Sequence, residues 1–151
     1  MTGDLAGSSG ARPASLSPAF VWPVRVYWED TDAGGVVYHA SYLRFLERAR
    51  SEWLRARGVA QQRLREEHGI LFVVADMDLR FTAPARLDDE LDVCVNAFTR
   101  RSASLVFTQC ILRRADRAAL VEAQVRAACI HATSYKPVRI PDFLLTESTH
   151  A

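Results

Sequence analysis

The chain has 151 residues, of which 49% are hydrophobic and 25% are charged. This length and composition are typical of one globular domain. Nineteen basic residues against eighteen acidic residues give a net charge of +1, which argues against a nucleic-acid-binding protein with a basic surface over the whole domain. The sequence contains no apolar run long enough to cross a bilayer, so we expect no membrane insertion.

Three cysteines are widely separated and lie in apolar, strand-like runs: Cys94, Cys110 and Cys129. Their spacing fits no common metal site. Cysteines in such runs behave as small buried hydrophobic residues and are typical of a reducing compartment. We therefore predict a cytoplasmic protein without a metal site.

The two ends of the chain differ in composition from the rest. Residues 1–18 are rich in Gly, Ser, Ala and Pro and hold too little apolar surface to order themselves, so they predict a disordered N-terminal extension. They also lack the apolar stretch of a signal peptide, so we expect no export. The folded domain is predicted over residues 19–145, and residues 146–151 are expected to form a flexible tail.

The first predicted elements are a strand, a loop and a long helix. Phe20–Trp28 is rich in β-branched and aromatic residues and predicts a strand. An acidic loop follows and ends in two glycines, which allow backbone angles that other residues avoid. Apolar residues then recur at helical spacing over Tyr38–Arg57 and predict a long helix that Gly58 ends. A short polar helix is predicted over Val59–His68.

Alternating apolar and polar residues predict four more strands. They are expected over Ile70–Thr82, Glu90–Thr99, Ala103–Leu112 and Leu120–Thr133. In the first of these strands, one face is predicted to carry Leu71, Val73, Ala75, Met77, Leu79 and Phe81. In the second, one face is predicted to carry Leu91, Val93, Val95 and Ala97. The last strand has an unusually small apolar face, on which we expect the long helix to lie closely: Val121, Ala123, Val125, Ala127 and Cys129.

This order of elements predicts an α+β fold with one sheet and one dominant helix. The last four strands are expected to follow one another as a meander. Because a helix on one face leaves the other face and the edges of the sheet bare, we expect the chain to form dimers.

The clearest candidate for a catalytic site lies between the first strand and the long helix. Asp32 precedes the helix start near His39 by a short loop. A helix start offers unpaired backbone N–H groups and partial positive charge, which can polarise a carbonyl group beside a carboxylate. From spacing alone, a turn or capping role explains Asp32 better than a catalytic one does, and Asp30 fits such a structural role better still. The side chain of His39 is either a hydrogen-bond donor to the substrate or only the first residue of the helix.

The segment YWEDTDAGGVVYH, residues Tyr27–His39, carries a specific resemblance to a known family. Tyr42-Leu43 and Glu47-Arg48 extend the match, and it continues more loosely from Arg100 to Pro141. The chain resembles the hotdog-fold acyl-CoA thioesterases of the 4-hydroxybenzoyl-CoA thioesterase type. It is most similar to the YbgC branch, which is associated in bacteria with the Tol–Pal envelope system. The resemblance implies a five-stranded antiparallel sheet wrapped around one long central helix.

The resemblance also implies an activity, the hydrolysis of acyl-CoA thioesters to free acid and coenzyme A. Asp32 is then catalytic, as a base for water or as a direct nucleophile. The backbone N–H groups near Gly35 and His39 are expected to stabilise the oxyanion. Members of the family are dimers, often paired into tetramers, with the acyl site at the subunit interface. No cofactor is expected, since coenzyme A is part of the substrate.

Further residues are candidates on chemical grounds. Tyr38 borders the expected site. Basic residues bind phosphates well, and the candidate contacts of coenzyme A are Arg100, Arg101, Ser102, Ser104, Lys136 and Arg139. Glu47 in the long helix is the second candidate catalyst, although an ion pair with a neighbour such as Arg44 or Arg50 explains it better. His131, in the last strand, is expected to be a buried or interface histidine.

Two other functions stay open at this point. A hotdog dehydratase would need a catalytic His/Asp pair in a hydratase-type motif, which the sequence lacks. A module that binds acyl-CoA or acyl carrier protein without catalysis, in association with the Tol–Pal system, would use the same pocket.

Overall fold

The computed structural model describes residues 20–145, in which short connections join five strands and two helices. In chain order the elements are β1 (Phe20–Arg25), a 3-10 turn (Trp28–Asp30), α1 (His39–Ala56), α2 (Gln61–His68), β2 (Ile70–Phe81), β3 (Glu90–Arg100), β4 (Ser104–Arg113) and β5 (Ala119–His131). Every predicted helix and strand is present, with ends that differ from the prediction by at most a few residues. The expectations for residues 1–18 and 146–151 lie outside the described residues.

All strands pair antiparallel in one sheet, in the order β1-β3-β4-β5-β2. The predicted meander is therefore wrong, because β2 lies at the edge beside β5 and not beside β3. Three strand spacings, roughly 14 Å, separate β2 from β3. The connection 82–89 crosses this distance at the end of the sheet where β2 finishes.

A bulge changes which residues share a face of β2. The pairing with β5 shifts between Val74 and Asp76. Leu71 and Val73 therefore lie on the face opposite to Met77, since one inserted residue exchanges the faces of a strand. The prediction of a single apolar face from Leu71 to Phe81 is wrong for this reason.

A second bulge acts on β3 in the same way. The pairing with β4 shifts between Val95 and Ala97. Ala97 is exposed and leaves the face of Val93 and Val95, on which it was predicted. Phe98 takes its place on the helix side and packs against Trp53 of α1, with ring centroids 4.6 Å apart.

The apolar face of α1 lies on the sheet, as predicted. Its buried apolar residues are Tyr42, Phe45, Leu46, Ala49, Trp53 and Leu54. The small face of β5 is also buried. However, the closest backbone contacts of α1 are with β1 and β3, not with β5. The small side chains of β5 therefore do not serve a close approach of the helix, and a cavity lies above one of them, Ala127.

The three cysteines are buried, as the sequence predicted, and none of them forms a disulfide. Cys94 and Cys110 are direct cross-strand partners, and their mutual hydrogen bond together with burial raises the pKa of Cys94. Within residues 20–145, no cluster of three His, Cys, Asp or Glu side chains is suited to a metal ion. Neither α1 nor α2 has the length and apolarity that a bilayer-spanning helix needs.

Candidate active site

The loop between β1 and α1 is closed at its base by Asp30. The buried carboxylate of Asp30 accepts a hydrogen bond from the N–H of Tyr27 at 2.8 Å. The carbonyl oxygen of Asp30 accepts another from the N–H of Tyr38, also at 2.8 Å. These bonds confirm the structural role predicted for Asp30, which ties the end of β1 to the start of α1.

Asp32 occupies the tip of this closed loop. Its Oδ1 accepts a hydrogen bond from the N–H of Gly34 at 2.8 Å, while its side chain is exposed. Its own N–H donates to the carbonyl of Val36 at 2.9 Å. The backbone on both sides is therefore fixed, and Oδ2 has no hydrogen-bond partner among residues 20–145.

Gly35 has the backbone conformation that the paired glycines predicted, but not the predicted free amide. Its φ is +78°, in the left-handed region that favours glycine. Its N–H donates to the carbonyl oxygen of Asp32 at 3.1 Å. This amide is engaged in the turn, so the free donors of the site must lie elsewhere.

The start of α1 supplies free donors. Tyr38 is the N-cap residue, and its side chain makes no capping hydrogen bond. The N–H of Ser41 donates to the carbonyl oxygen of Tyr38 at 2.8 Å, whereas those of His39 and Ala40 have no acceptor in the described part of the chain. The N-terminal dipole of an 18-residue helix adds partial positive charge at these two amides. Together they can stabilise an oxyanion.

A mostly apolar cavity of about 290 Å³ opens beside this helix start. It is lined by Val37, His39, Tyr42, Phe81, Thr82, Ala83 and Pro84. The connection 82–89 is braced against the helix, since the N–H of Ala85 donates to the hydroxyl of Tyr42 at 2.9 Å. Burial raises the pKa of Tyr42 above its usual 10.0, although this hydrogen bond opposes the shift, so the phenol is neutral near pH 7.

The exposed rings of Tyr38 and His39 flank the helix start. Their centroids are 4.5 Å apart, and the planes are tilted by 54°. Both side chains are exposed in the single chain. Four of the residues that the sequence singled out thus lie on one loop and the helix start that follows it: Asp32, Gly35, Tyr38 and His39.

The predicted coenzyme A contacts lie at the other end of the sheet. Arg25, before the Asp32 loop, pairs with Glu90 at the start of β3, and Arg100 is at its far end. A strand of 11 residues is about 36 Å long. Arg101, Ser102, Lys136 and Arg139 are exposed near that far end, whereas Ser104 is buried. One chain therefore does not bring these groups to Asp32.

Arg100 has a structural role that the sequence did not predict. Its guanidinium donates to the carbonyl oxygens of Leu144 at 2.7 Å, Pro141 at 2.9 Å and Ile140 at 3.1 Å. It thereby binds the C-terminal segment, whose residues Ile140, Leu144 and Leu145 are buried. Donors engaged in this way are not free for a phosphate.

Two other expectations are wrong. Glu47 is exposed and forms no salt bridge with a described residue, although its charge acts on Arg50. It lies about 12 Å along α1 from His39. His131 is exposed and not buried. Its Nδ1 accepts hydrogen bonds from the N–H groups of Thr133 and Ser134 at 3.1 and 3.2 Å, and so it shapes the turn after β5.

Sequence reasoning also missed a buried cation. Arg50 is 6% exposed, and its Nη1 donates to Oε1 of Gln109 at 3.0 Å. Gln109 is fully buried, and its Nε2 donates to the carbonyl oxygen of Leu46 at 3.2 Å. Helical spacing gave a signal, because Arg50 lies four residues from both Leu46 and Leu54 on the apolar face.

Comparison with known proteins gives the same family as the motif. The model of the thioesterase-like superfamily matches residues 26–147. The chain is 49% identical over 128 residues to the acyl-CoA thioester hydrolase YbgC of Escherichia coli O6:H1, covering 85% of this chain and 94% of that protein. It is 44% identical over 126 residues to the acyl-CoA thioesterase YbgC of Haemophilus influenzae, covering 83% and 91%.

A solved structure is similar over the whole fold. The probable thioesterase from Bartonella henselae superposes with a TM-score of 0.75 at 40% identity, covering 82% of this chain and 100% of that one. The sequence motif, the five-stranded sheet around α1 and these matches agree. The chain belongs to the thioesterase-like superfamily and, within it, to the YbgC branch of hotdog-fold acyl-CoA thioesterases.

Proposed function

We propose that this protein hydrolyses acyl-CoA thioesters, with Asp32 as the catalytic carboxylate and the start of α1 as the oxyanion site. The observation that carries the proposal is the helix start itself. The amides of His39 and Ala40 lack acceptors in the described residues, and the Asp32 loop is tied to the same helix start by Asp30. The acyl-CoA thioesterases named among the relatives support the substrate class.

The chemistry follows from these groups. Asp32 removes a proton from water as the water oxygen attacks the thioester carbon, or its carboxylate attacks directly and forms a mixed anhydride that water then cleaves. The carbonyl oxygen becomes an oxyanion at the amide of His39. The C–S bond then breaks, and the thiolate of coenzyme A leaves and is protonated. The reaction needs only water and protein groups, so we assign no cofactor.

Other predicted residues have supporting roles. Gly35 holds the turn through its left-handed backbone, since its own N–H is engaged with Asp32. Tyr38 and the imidazole of His39 border the thioester from the exposed side of the helix start.

The functional unit is a homodimer formed through β2. This strand is a free edge of 12 residues without proline, and it exposes Val73, Val74 and Phe81. The opposite edge, β1, is half as long and contains Pro23, which cannot donate to a neighbouring strand. Long apolar edges are disfavoured in water and pair readily with a second copy.

Antiparallel pairing of two β2 strands completes the site. Because the two-fold axis reverses the second sheet, the hairpin end of one copy lies beside the Asp32 end of the other. Arg101, Ser102, Lys136 and Arg139 then contact the phosphates of coenzyme A from the second subunit. We place this enzyme in the cytoplasm, with dimers that can associate into tetramers and with acyl carrier protein as a further thioester donor.

The Asp32→Asn variant tests this function. Asn still accepts a hydrogen bond from the N–H of Gly34, so the loop is kept while the base or nucleophile is lost. We expect thiol release from a panel of short, long and aromatic acyl-CoA substrates to fall by a factor of about 10² to 10⁴. The matched control is Glu29→Gln, a neighbouring exposed acid that should leave turnover unchanged.

Two results would contradict the proposal. Turnover at the wild-type level in Asp32→Asn would remove Asp32 from catalysis. A wild-type protein that binds acyl-CoA and releases no thiol from any substrate would instead favour the acyl-binding module associated with the Tol–Pal system.

A further inference from the structure

A second cavity, of about 300 Å³, lies between α1 and β2 above Ala127 of β5. Its apolar lining includes Leu54, Phe72, Leu105, Phe107 and Ala127. One wall carries the buried Arg50, and the other polar residues of the lining are Glu47, Ser51 and Gln61. A partly apolar chamber with a buried cation is suited to an apolar ligand that ends in an acceptor group.

No carboxylate in residues 20–145 forms a salt bridge with this cation. A guanidinium has five N–H donors, and the described structure provides one hydrogen-bond acceptor, the neutral side-chain oxygen of Gln109. Gln109 is itself held in place, because its amide nitrogen donates to the carbonyl oxygen of Leu46. Burial lowers the pKa of Arg50 to about 10, although the negative charge of the exposed Glu47 opposes this shift.

A buried charge that no carboxylate meets by a hydrogen bond is unfavourable, and a carboxylate supplied by a ligand would relieve it. The planar guanidinium matches a carboxylate through two parallel hydrogen bonds. Arg50 is therefore held by Gln109 in a position where its remaining donors can be used by a ligand.

The cavity lies on the same flank of the molecule as the proposed thioester site. The cavity at His39 is bordered by the Phe81 end of β2, and the second cavity by the end with Phe72 and Val74. Arg50 is about 16 Å along α1 from His39. An acyl chain bound with its carbonyl at the helix start can therefore extend along this flank toward a guanidinium.

We infer that the cavity of Arg50 binds the far end of the acyl group and selects acyl chains that end in a carboxylate. This inference rests on the proposed hydrolase function and specifies its substrate class, the coenzyme A thioesters of dicarboxylic acids. Arg50 is then a specificity-determining residue that touches the substrate away from the scissile bond.

Paired substrates of equal length test the inference. The pairs are suberoyl-CoA with octanoyl-CoA, dodecanedioyl-CoA with lauroyl-CoA, and hexadecanedioyl-CoA with palmitoyl-CoA. At one or more lengths, we expect kcat/KM for the dicarboxylic member to exceed that of its partner by about tenfold or more, the value of one hydrogen bond to a charged group. Equal or lower values at all three lengths would overturn the inference.

Two variants and one control assign the preference to Arg50. Arg50→Met removes the charge, and its apolar side chain still fills part of the cavity. The preference for dicarboxylic substrates should therefore disappear, while methyl-ended chains are still hydrolysed. Gln109→Glu places a carboxylate beside the guanidinium and should suppress the preference with little change in shape. Arg48→Met, an exposed arginine on the same helix, should keep the wild-type ratio.

A binding measurement separates this inference from the hydrolase function. Free dodecanedioate should raise the melting temperature of the wild-type protein more than laurate does, and Arg50→Met should lose that difference. If no thioester is hydrolysed but this shift is found, the hydrolase proposal fails and the carboxylate site stands. If hydrolysis is found without either preference, the carboxylate site fails and the hydrolase stands.

Discussion

The two ends of α1 are built in opposite ways. At the C-terminal end, the N–H groups of Arg57 and Val59 donate to the carbonyl oxygen of Leu54. The guanidinium of Arg57 also stacks over the rings of Trp53 and Phe98 at 4.4 and 4.8 Å. At the N-terminal end, no side chain caps the helix, and the amides of His39 and Ala40 lack acceptors in the described residues.

In the proposed function, this difference separates stability from catalysis. Unpaired helix-end groups cost free energy, so a helix normally satisfies them with caps. The C-terminal end of α1 does so and is packed against the core. The N-terminal end, which follows the Asp32 loop, leaves donors from which a ligand oxygen can accept. Four predictions test this division of roles and the proposed dimer.

The largest effect on kcat is expected at the N-terminal end of α1. His39→Pro removes the backbone N–H, and proline is well accepted at the first position of a helix. The extended conformation of Tyr38, with φ −63° and ψ 132°, is compatible with a following proline. We expect kcat to fall by a factor of about 10² to 10³, or about 3 to 4 kcal/mol, because one oxyanion donor is lost.

The control for this change is His39→Ala, which removes the imidazole and keeps the amide. The ratio of kcat between the Ala and Pro variants measures the amide alone. Equal kcat values in the two variants, with unchanged circular dichroism, would show that the helix start is not the oxyanion site.

The C-terminal segment borders the same cavity as the C-terminal end of α1, and changes in it should affect stability and not chemistry. Arg100→Met removes the hydrogen bonds that hold the C-terminal segment. We expect the free energy of unfolding to fall by about 2 to 3 kcal/mol, measured by denaturant unfolding.

Arg101→Met is the matched variant at the same hairpin. It should keep wild-type stability and raise KM for acyl-CoA, since Arg101 is exposed and assigned to the phosphates. The reverse pattern, with the stability loss in Arg101→Met, would contradict the division between these two arginines.

The proposed dimer can be tested at the free edge. Val74→Asp places a charge in the middle of β2, where a second copy would bury it beside its symmetry mate. We expect self-association to weaken by about 2 kcal/mol or more, roughly thirtyfold in Kd, measured by sedimentation. Val21→Asp on the β1 edge is the control, since Val21 is similarly exposed at 41%. Dissociation in the control alone would place the interface at β1.

The smallest effect is expected from Gly34→Ala. A Cβ atom at this position would lie 3.1 Å from Oδ1 of Asp32, so the carboxylate must shift by a few tenths of an ångström. We expect kcat to fall about threefold to tenfold, since small displacements of a catalytic group are costly. Ala33→Ser in the same turn should leave kcat unchanged. An unaffected Gly34→Ala variant would mean that the position of Oδ1 is not critical.

Local patterns in the sequence determined much of this protein. Period-two alternation located all the strands, helical spacing located α1, and the segment from Tyr27 to His39 identified the loop, the helix start and the family. These features depend on neighbours along the chain, which is why they can be read without a structure. The structural role of Asp30 followed for the same reason.

Only the tertiary structure decided which distant residues meet. Strand patterns do not specify neighbours, so the place of β2 beside β5 and the bulges at residues 75 and 96 could not be predicted. The contacts and burial of long charged side chains also depend on the tertiary structure. Arg100 binds carbonyl groups some 40 residues away in the chain, and Arg50 lies buried against Gln109. The separation of Asp32 from the basic hairpin has the same origin, since it depends on how the sheet orders its strands.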